Sequence, residues 1–443
     1  MFSSWPKSES LMERSRKVVS STRPDLDGTF PFVVASGLGG YVTDLEGNRY
    51  LDLTASTGAV LLGHRHPEVS AATIAAINDV GSMFPTTTSP LLFEVAERLT
   101  NMFPSAERAL FFRTGSEATT AAIRLARMAT GRRTVLTSGY HGWHDWHLQM
   151  FPQFRMEDPT HIDFAYNLNL LELLLDRYAG DVACVIVTPD LNFFPHEYFA
   201  ELRELTSRKG VILIFDEVVT GFRYGMGGFQ SSSGITPEMT TLSKGLANGH
   251  AISAVVGRAE LIEQRDKTHM WGTFNSEVTP LAAAVATLDV FVRDNVPAVL
   301  DHVGTALMEG LGALFRSAGV RADAFRVGSD FHIVFEDEDL GQAFYWSCLC
   351  RGVLFHRFDR QIVTAAHTLE DVQFALDVAG EALAELEAST PAAFQGWSEP
   401  SPEARDLRCL NETGGLMDYR RAVDEIPDMW TLVNQIKELP PSP

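Results

Sequence analysis

The sequence predicts an α/β protein, a doubly wound and mainly parallel sheet accompanied by a smaller α+β domain, and three observations predict it. Short runs rich in β-branched residues and without clean polar alternation, at residues 134–138, 182–187, 211–215, 240–243 and 252–256, have the pattern of strands buried on both faces. A helical stretch separates two of them and another precedes the first, and strands that alternate with helices build parallel sheets. Beyond about residue 281 the rhythm changes to long helices around one strand-like stretch, a module of its own. Length and composition allow cores of that size: 443 residues, 45% hydrophobic and 21% charged, suggest about two or three domains.

Residues 1–30 are polar and read as an irregular or helical arm. Residues 32–53 form short alternating runs broken by Gly39-Gly40 and by Glu46-Gly47-Asn48, the signature of a meander. Apolar spacing predicts helices over 67–78 and 91–102. A strand over 109–112 then leads through Thr114-Gly115-Ser116 into a helix over 117–128, apolar at Ala118, Ala121, Ala122, Ile123 and Leu125. Between the buried strands, a helix over 198–208 is closed by Gly210. Helices follow over 282–293 and 297–317, where Pro297 suits a first helical position. A strand over 331–335 and helices over 340–351 and 369–386 complete the second module. Residues 390–404, rich in Pro, Ser and Glu, read as a linker, and the tail beyond carries one short helix at 429–439.

The charge balance is 36 basic against 57 acidic residues, net −21, with the acidic residues scattered, so a nucleic acid would be repelled over most of the surface. The longest apolar runs, at 185–187 and 211–215, fall far short of the roughly 18 residues of a membrane helix, and no membrane segment is expected. The N-terminus has no apolar stretch of the secretory kind, and a cytoplasmic setting is expected. Cys184, Cys348, Cys350 and Cys409 are too few and too unevenly spaced for a disulfide framework, and reduced buried thiols are the default. Cys348 and Cys350 lack the second pair that a two-knuckle zinc site needs.

Four features in this frame carry chemistry. Gly115-Ser116 place a glycine and a hydroxyl where a strand turns into a helix, so that free N–H groups and the positive helix end face an incoming anion. A plain helix cap has the same pattern. The strand over 211–215 delivers Asp216 and Glu217 at its carboxyl end, where ligands of open α/β sheets bind. Because neighbouring strand residues face opposite sides, one of the two serves a site and the other is structural.

Lys244 follows the next strand among small residues that run to Gly249. Cramped there, an ammonium falls below its reference pKa of about 10.4 and its amine becomes a candidate for Schiff-base chemistry, the alternative being a solvated loop lysine. The stretch Tyr140-His141-Gly142-Trp143-His144-Asp145-Trp146-His147 has two readings, a metal site or an aromatic loop that stacks on a planar ligand. The spacing is not H-E-x-x-H and no further ligand set accompanies it, so no metal centre is expected. Taken together, an anion turn, an aromatic-glycine loop, a strand-end aspartate and a lysine are the parts that hold pyridoxal 5′-phosphate. The phosphate takes a helix N-terminus, the ring a stacking face, the pyridine nitrogen a carboxylate and the aldehyde an amine.

The motifs FFRTGSEATTAAIRLAR at 111–127, Tyr140-His141-Gly142, LIFDEVVTGFR at 213–223 and LSKGLANG at 242–249 resemble those of the class III pyridoxal-phosphate aminotransferases, within them the glutamate-1-semialdehyde aminomutase branch. GHRHPEV at 63–69 and the stretch 364–368 extend the resemblance over about residues 32–384. It implies fold-type I and a homodimer with shared active sites. It also implies four segments: an arm and part of the small domain at 1–65, a large cofactor-binding domain at 66–285, the rest of the small domain at 286–388, and a linker and tail at 389–443. By the same resemblance Gly115 and Ser116 bind the phosphate, Tyr140 stacks on the ring with His141 in the cofactor-binding set, and Val218 packs on the other face. Asp216 pairs with the pyridine nitrogen, Lys244 forms the Schiff base and carries the proton, and Thr273 reaches the neighbouring subunit's phosphate. Thr57, Arg113, Arg357 and Arg360 are candidate substrate residues. Arg357 and Arg360 either clamp a carboxylate or are surface arginines paired with Asp359.

The chain departs from the family at Thr188-Pro189, where Glu-Pro is usual, and at Arg113, where Asn is usual. Thr57 stands where the aminomutases have Trp, and Phe358-Asp359-Arg360-Gln361-Ile362 where they have Phe-Glu-Ala-Gly-Phe. The expected reaction is therefore transfer of an amino group from an amino acid, glutamate foremost, to a small keto or cyclic keto acid in specialised biosynthesis. Water is eliminated where the acceptor carries a suitable hydroxyl. An intramolecular aminomutase shift and a non-catalytic protein on the same scaffold are the alternatives. Gly37-Leu38-Gly39-Gly40 and Gly225-Met226-Gly227-Gly228 lack the G-x-G-x-x-G spacing of a nicotinamide enzyme.

Overall fold

The computed structural model describes residues 1–19, 30–150, 160–164, 166–192, 194–325, 327–357, 359–401 and 404. The expected tail and its helix at 429–439 lie outside the described residues. Two compact units emerge, Met1–Pro67 with Val299–Ser401, and Glu68–Ala298.

In the first unit the helix Pro6–Ser15 precedes an antiparallel meander of β1 (Val34–Leu38), β2 (Tyr41–Asp44) and β3 (Arg49–Asp52). Gly47, at φ 97°, supplies the left-handed residue of the expected turn between β2 and β3.

The second unit holds the large sheet, built from β4 (Arg108–Phe112), β5 (Thr134–Ser138), β6 (His161–Asp163), β7 (Val182–Val187), β8 (Ile212–Asp216), β9 (Met239–Leu242) and β10 (Ser253–Gly257). Its order is β4-β10-β9-β8-β7-β5-β6. The absence of polar alternation has its physical reason here, because every residue of β5, β7, β9 and β10 is buried. One face packs Cys184, Ile186 and Ile214 against Ala118, Ala121, Ala122 and Leu125 of the helix Gly115–Thr130. The opposite face packs Val185, Leu213 and Phe215 against the helices Leu168–Arg177 and His196–Lys209. Gly210, at φ 63°, closes the latter helix as expected.

Two features depart from the sequence reading. The run over 252–256, expected among parallel strands, is antiparallel to both of its neighbours as β10. The ten residues 243–252 that join it to β9 include no crossover helix longer than the turn Lys244–Ala247, whereas a parallel return needs a crossover of about a dozen residues or more. β6 and the helix Leu168–Arg177 were not anticipated, although Asn167 caps that helix by accepting the Leu170 N–H at 3.0 Å and its leucines recur at helical spacing.

The chain returns to the first unit with β11 (Ala322–Phe325), β12 (Asp330–Phe335), β13 (Val353–Leu354) and β14 (Gln361–Ile362). β13 extends the meander parallel to β3, and β11, β12 and β14 form a separate antiparallel sheet. The helix Val296–Ala318 is long and apolar enough to cross a membrane by length and composition. Its buried residues Leu300, Val303, Leu307, Leu311 and Phe315 recur every three or four positions, the spacing of a helix with one face toward a core.

Candidate active site

Strand direction brings the predicted residues to one edge of the large sheet. β5, β7, β8 and β9 run parallel, and β4, antiparallel to the reversed β10, points the same way. The segments that leave β4, β5, β8 and β9, carrying Gly115, Tyr140, Asp216 and Lys244, therefore emerge at the carboxyl edge, the ligand-binding edge of open α/β sheets.

After β4 the chain enters the helix Gly115–Thr130 through a capping box. Thr114 Oγ1 accepts the Glu117 N–H at 3.2 Å, and Glu117 Oε2 accepts the Thr114 N–H at 2.8 Å. Glu117 thus satisfies the cap itself, while the N–H groups of Gly115 and Ser116 belong to the first turn, which has no intrahelical acceptors. A Cβ at Gly115 would lie 3.0 Å from a Val218 methyl, so glycine lets the turn close on Val218. Gly142 is more constrained: φ is 102°, and a Cβ there would lie 2.3 Å from Ser116 Oγ. Thr119 Oγ1 donates to the His141 carbonyl at 2.7 Å, which fastens the aromatic loop to the same helix end. An anion is therefore offered two backbone donors, a hydroxyl and the helix dipole.

The two strand-end carboxylates divide as alternation requires. Asp216 Oδ1 accepts from Thr241 Oγ1 at 2.9 Å and from the Val218 N–H at 3.1 Å, and Oδ2 lies 2.7 Å from His141 Nδ1. His141 Nε2 in turn meets the Ser138 carbonyl at 3.0 Å. Glu217 turns to the other face, where Oε2 accepts the Phe229 N–H at 2.6 Å and Oε1 the Gln230 amide at 3.3 Å. Burial pushes its carboxyl up to about 7. A Cβ at Gly228 would sit 2.0 Å from Glu217 Oε2, so this pocket is filled by the carboxyl group alone. Glu217 is the structural member of the pair.

Lys244 opens a short turn after β9, half-buried beside the buried Leu242 and Gly245. Its φ of 40° is a left-handed conformation that costs a non-glycine residue of order 1–2 kcal/mol. Thr241, on the same strand, is the Cα partner of Asp216, which brings the two strand ends into register. Tyr140 is 51% exposed, and partial burial together with the Asp216 charge holds its phenol above the usual range. Thr273 is exposed on the turn Thr273–Ser276.

The three candidate arginines are already bonded within their own units. Arg113 donates to the carbonyls of Ala251 at 2.9 Å and Glu277 at 3.3 Å. Arg357 donates to Gln342. Arg360 is buried and pairs with the fully buried Asp330 at 2.9 Å, with Asp359 at 3.7 Å, so it is not the surface arginine of the second reading. Thr57 is exposed in the segment Ala55–Gly58, whose four residues have φ of 45°, 53°, 57° and 81°. Thr241 and Ser138 were missed in the sequence, since a hydroxyl and a carbonyl inside a strand look like ordinary strand residues.

A family model described as aminotransferase class-III matches residues 24–373. The chain is 42% identical over 373 residues to the 2′-deamino-2′-hydroxyneamine transaminase of Streptomyces kanamyceticus, covering 83% of this chain and 95% of that one. It is 30% identical over 424 residues to the glutamate-1-semialdehyde 2,1-aminomutase of Methanosarcina acetivorans, covering 84% and 98%. Among solved structures, the PLP internal aldimine form of the Sphingopyxis sp. MTA144 FumI protein matches with a TM-score of 0.80 at 28% identity, over 90% of this chain and 100% of that one.

Proposed function

The chain belongs to the class III aminotransferases, and from that premise we propose that it moves an amino group from an amino acid, glutamate foremost, to a small cyclic keto compound. Pyridoxal phosphate is the cofactor. The observation that carries the site is the meeting at one sheet edge of the Gly115-Ser116 turn, the Tyr140-His141 loop, the triply held Asp216 and the strand end that bears Lys244. These residues fit the cofactor's needs: paired N–H donors for the phosphate, a carboxylate whose oxygens are fixed by three partners, and Val218 lying 3.0 Å from where a Gly115 Cβ would be.

When bound, the cofactor supplies an electron sink conjugated to the donor's amino-bearing carbon. Gly115 and Ser116 would hold the phosphate, and Tyr140 and Val218 would flank the ring. Asp216 would hold a proton at the pyridine nitrogen, with His141, Thr241 and the Val218 N–H keeping its carboxylate from turning away. Lys244 would supply the amine that tethers the cofactor and the base that moves the substrate proton. In this reading the cofactor-binding domain is 66–285 and the small domain 1–65 with 286–388, against a division of the compact units after Pro67 and after Ala298.

The proposal includes a homodimer in which Thr273 reaches the phosphate held by the second copy. Ile74, Ile77, Phe93, Trp271 and Phe274 of the Glu68–Ala298 unit, all exposed, supply apolar surface for such an interface. A cytoplasmic setting accords with the buried free thiols of Cys184, Cys348 and Cys350.

Two features support a cyclic acceptor. The 42% identical relative is named for a neamine derivative that carries a hydroxyl in place of an amino group. Arg113, Arg357 and Arg360 are each engaged within the protein, which favours recognition of the acceptor through its ring over an arginine fork on a carboxylate. The left-handed strain at Thr57 is of the kind found at ligand sites, and Thr57 is kept as a substrate residue. The second reading, an intramolecular amino shift, draws support from the 30% identical aminomutase.

Separate half-reactions test the proposal. A donor such as glutamate should bleach the cofactor's visible band, and cyclic ketones should restore it. If no amino acid or amine changes the band, the transaminase reading of this chain fails; if a single diamine or aminoaldehyde runs the whole cycle alone, the amino shift replaces it.

A further inference from the structure

The histidines of the aromatic loop are not all accounted for by contact with a cofactor. His141 has both ring nitrogens engaged, on Asp216 and on the Ser138 carbonyl, and His144 Nδ1 meets Thr120 Oγ1 at 2.7 Å. His147 is 3% exposed, and its Nε2 accepts the backbone N–H of His141 at 3.0 Å. An acceptor nitrogen carries no proton, so the ring is neutral with its proton on Nδ1. Burial first, then the neighbouring His141 and His161, hold its pKa down at about 2. A bond with the Gly139 backbone acts in the opposite sense but does not outweigh burial.

The surroundings of His147 fix its ring. Its ring meets the edge of Tyr140 at 6.2 Å between centroids, and Trp146 at 4.9 Å. Trp146 stacks on His141 at 6.4 Å and 12° and is anchored by its indole N–H on Thr120 Oγ1 at 2.8 Å. His161 closes the far side at 5.5 Å. His147 therefore braces two residues assigned to the cofactor, the Tyr140 ring by packing and the His141 backbone by a hydrogen bond.

We infer that His147 is a positioning residue: by accepting the His141 amide it fixes His141 on Asp216, and so sets how firmly Asp216 keeps the cofactor's pyridine nitrogen protonated. The inference rests on the proposed role of Asp216. Loss of the acceptor lets the His141 backbone shift and lengthens its contact with Asp216. A ring nitrogen less firmly protonated withdraws less electron density from the Lys244 linkage, whose proton is then held to higher pH.

The test compares His147→Leu, which removes the acceptor, with His147→Gln, which can return one. In the holoenzyme, His147→Leu should raise the pH midpoint of the cofactor's visible band by about one unit and weaken cofactor binding about tenfold, the size of one lost hydrogen bond to a charge-linked network. His147→Gln should keep the native midpoint. Equal midpoints in His147→Leu and the native protein overturn the inference. Asp216→Asn, measured alongside, separates the two levels: if it also leaves the band unmoved, the cofactor-site reading itself fails. Should His147→Leu not fold, ring-¹⁵N histidine spectra of the native holoenzyme decide the matter. The inference requires a neutral Nδ1–H tautomer at His147, and an Nε2–H tautomer or a protonated ring contradicts it.

Discussion

Asp216 and Glu217 are adjacent in sequence, both buried, and delivered by the same strand end, yet they occupy two regions with opposite chemistry. On the Asp216 side the partners are a hydroxyl, a backbone N–H and a histidine that is itself fixed by a carbonyl. Three fixed partners orient the carboxylate toward the edge where the Gly115-Ser116 turn and the Tyr140 loop lie. On the Glu217 side the backbone of Phe229 and the amide of Gln230 close around the carboxyl, Gly228 leaves room for nothing else, and Phe215 and Phe229 pack beside it. Burial there raises the carboxyl to about 7. A carboxylate becomes a working group through partners that fix its direction at the ligand-binding edge. One that is closed in on all sides ties the chain together.

The comparison can be broken most severely at the residue that completes the working side. Lys244→Ala should lower transamination by at least ~10³-fold, the upper range for a positioned proton carrier, with loss of the cofactor's lysine-linked absorbance, while thermal unfolding of the cofactor-free protein stays close to native. Asp216→Asn should cost about 10²-fold in turnover with little loss of stability, because an amide oxygen can still accept from Thr241 and Val218. Equal activity of Asp216→Asn and the native enzyme would erase the distinction between the two carboxylates.

Glu217→Gln sharpens the contrast from the other side. A carboxyl raised from 4.5 to about 7 binds its proton first in the folded state, so its contribution to stability is full below about pH 4.5 and is lost as pH rises through about 7. Urea unfolding between pH 5 and 8 should show a decline of order 3 kcal/mol in the native protein that is missing from Glu217→Gln. A parallel pH dependence in the two proteins would mean that Glu217 is ionised where it lies. The smallest effect is expected from Gly142→Ala. Its Cβ would press on Ser116 Oγ from a φ of 102°, at a cost of order 1–2 kcal/mol read as weaker retention of the phosphate-bearing cofactor.

Much of this is legible in the sequence. Buried strands announce themselves by runs such as Val185-Ile186-Val187, and the Thr114-Gly115-Ser116 turn by its place between strand and helix. That one of Asp216 and Glu217 is structural followed from strand alternation, but which one depended on Gly228 and Phe229, eleven and twelve residues further on. The reversal of β10 was hidden because a buried antiparallel strand has the same composition as a parallel one; only the lack of a crossover helix in the ten residues after β9 distinguishes it. Arg360 looked like a surface or substrate arginine because its partner Asp330 is remote in sequence. His147 was visible only as one of several histidines, since its role lies in the lone pair it offers to a backbone amide.

The account stands on a covalent link at one amine. Reduction of the holoenzyme with borohydride would fix the cofactor to its lysine, and proteolysis with mass mapping would locate it. The account predicts the added mass on the peptide that contains Lys244 and its absence from Lys244→Ala; label on any other lysine, or on none, would contradict it.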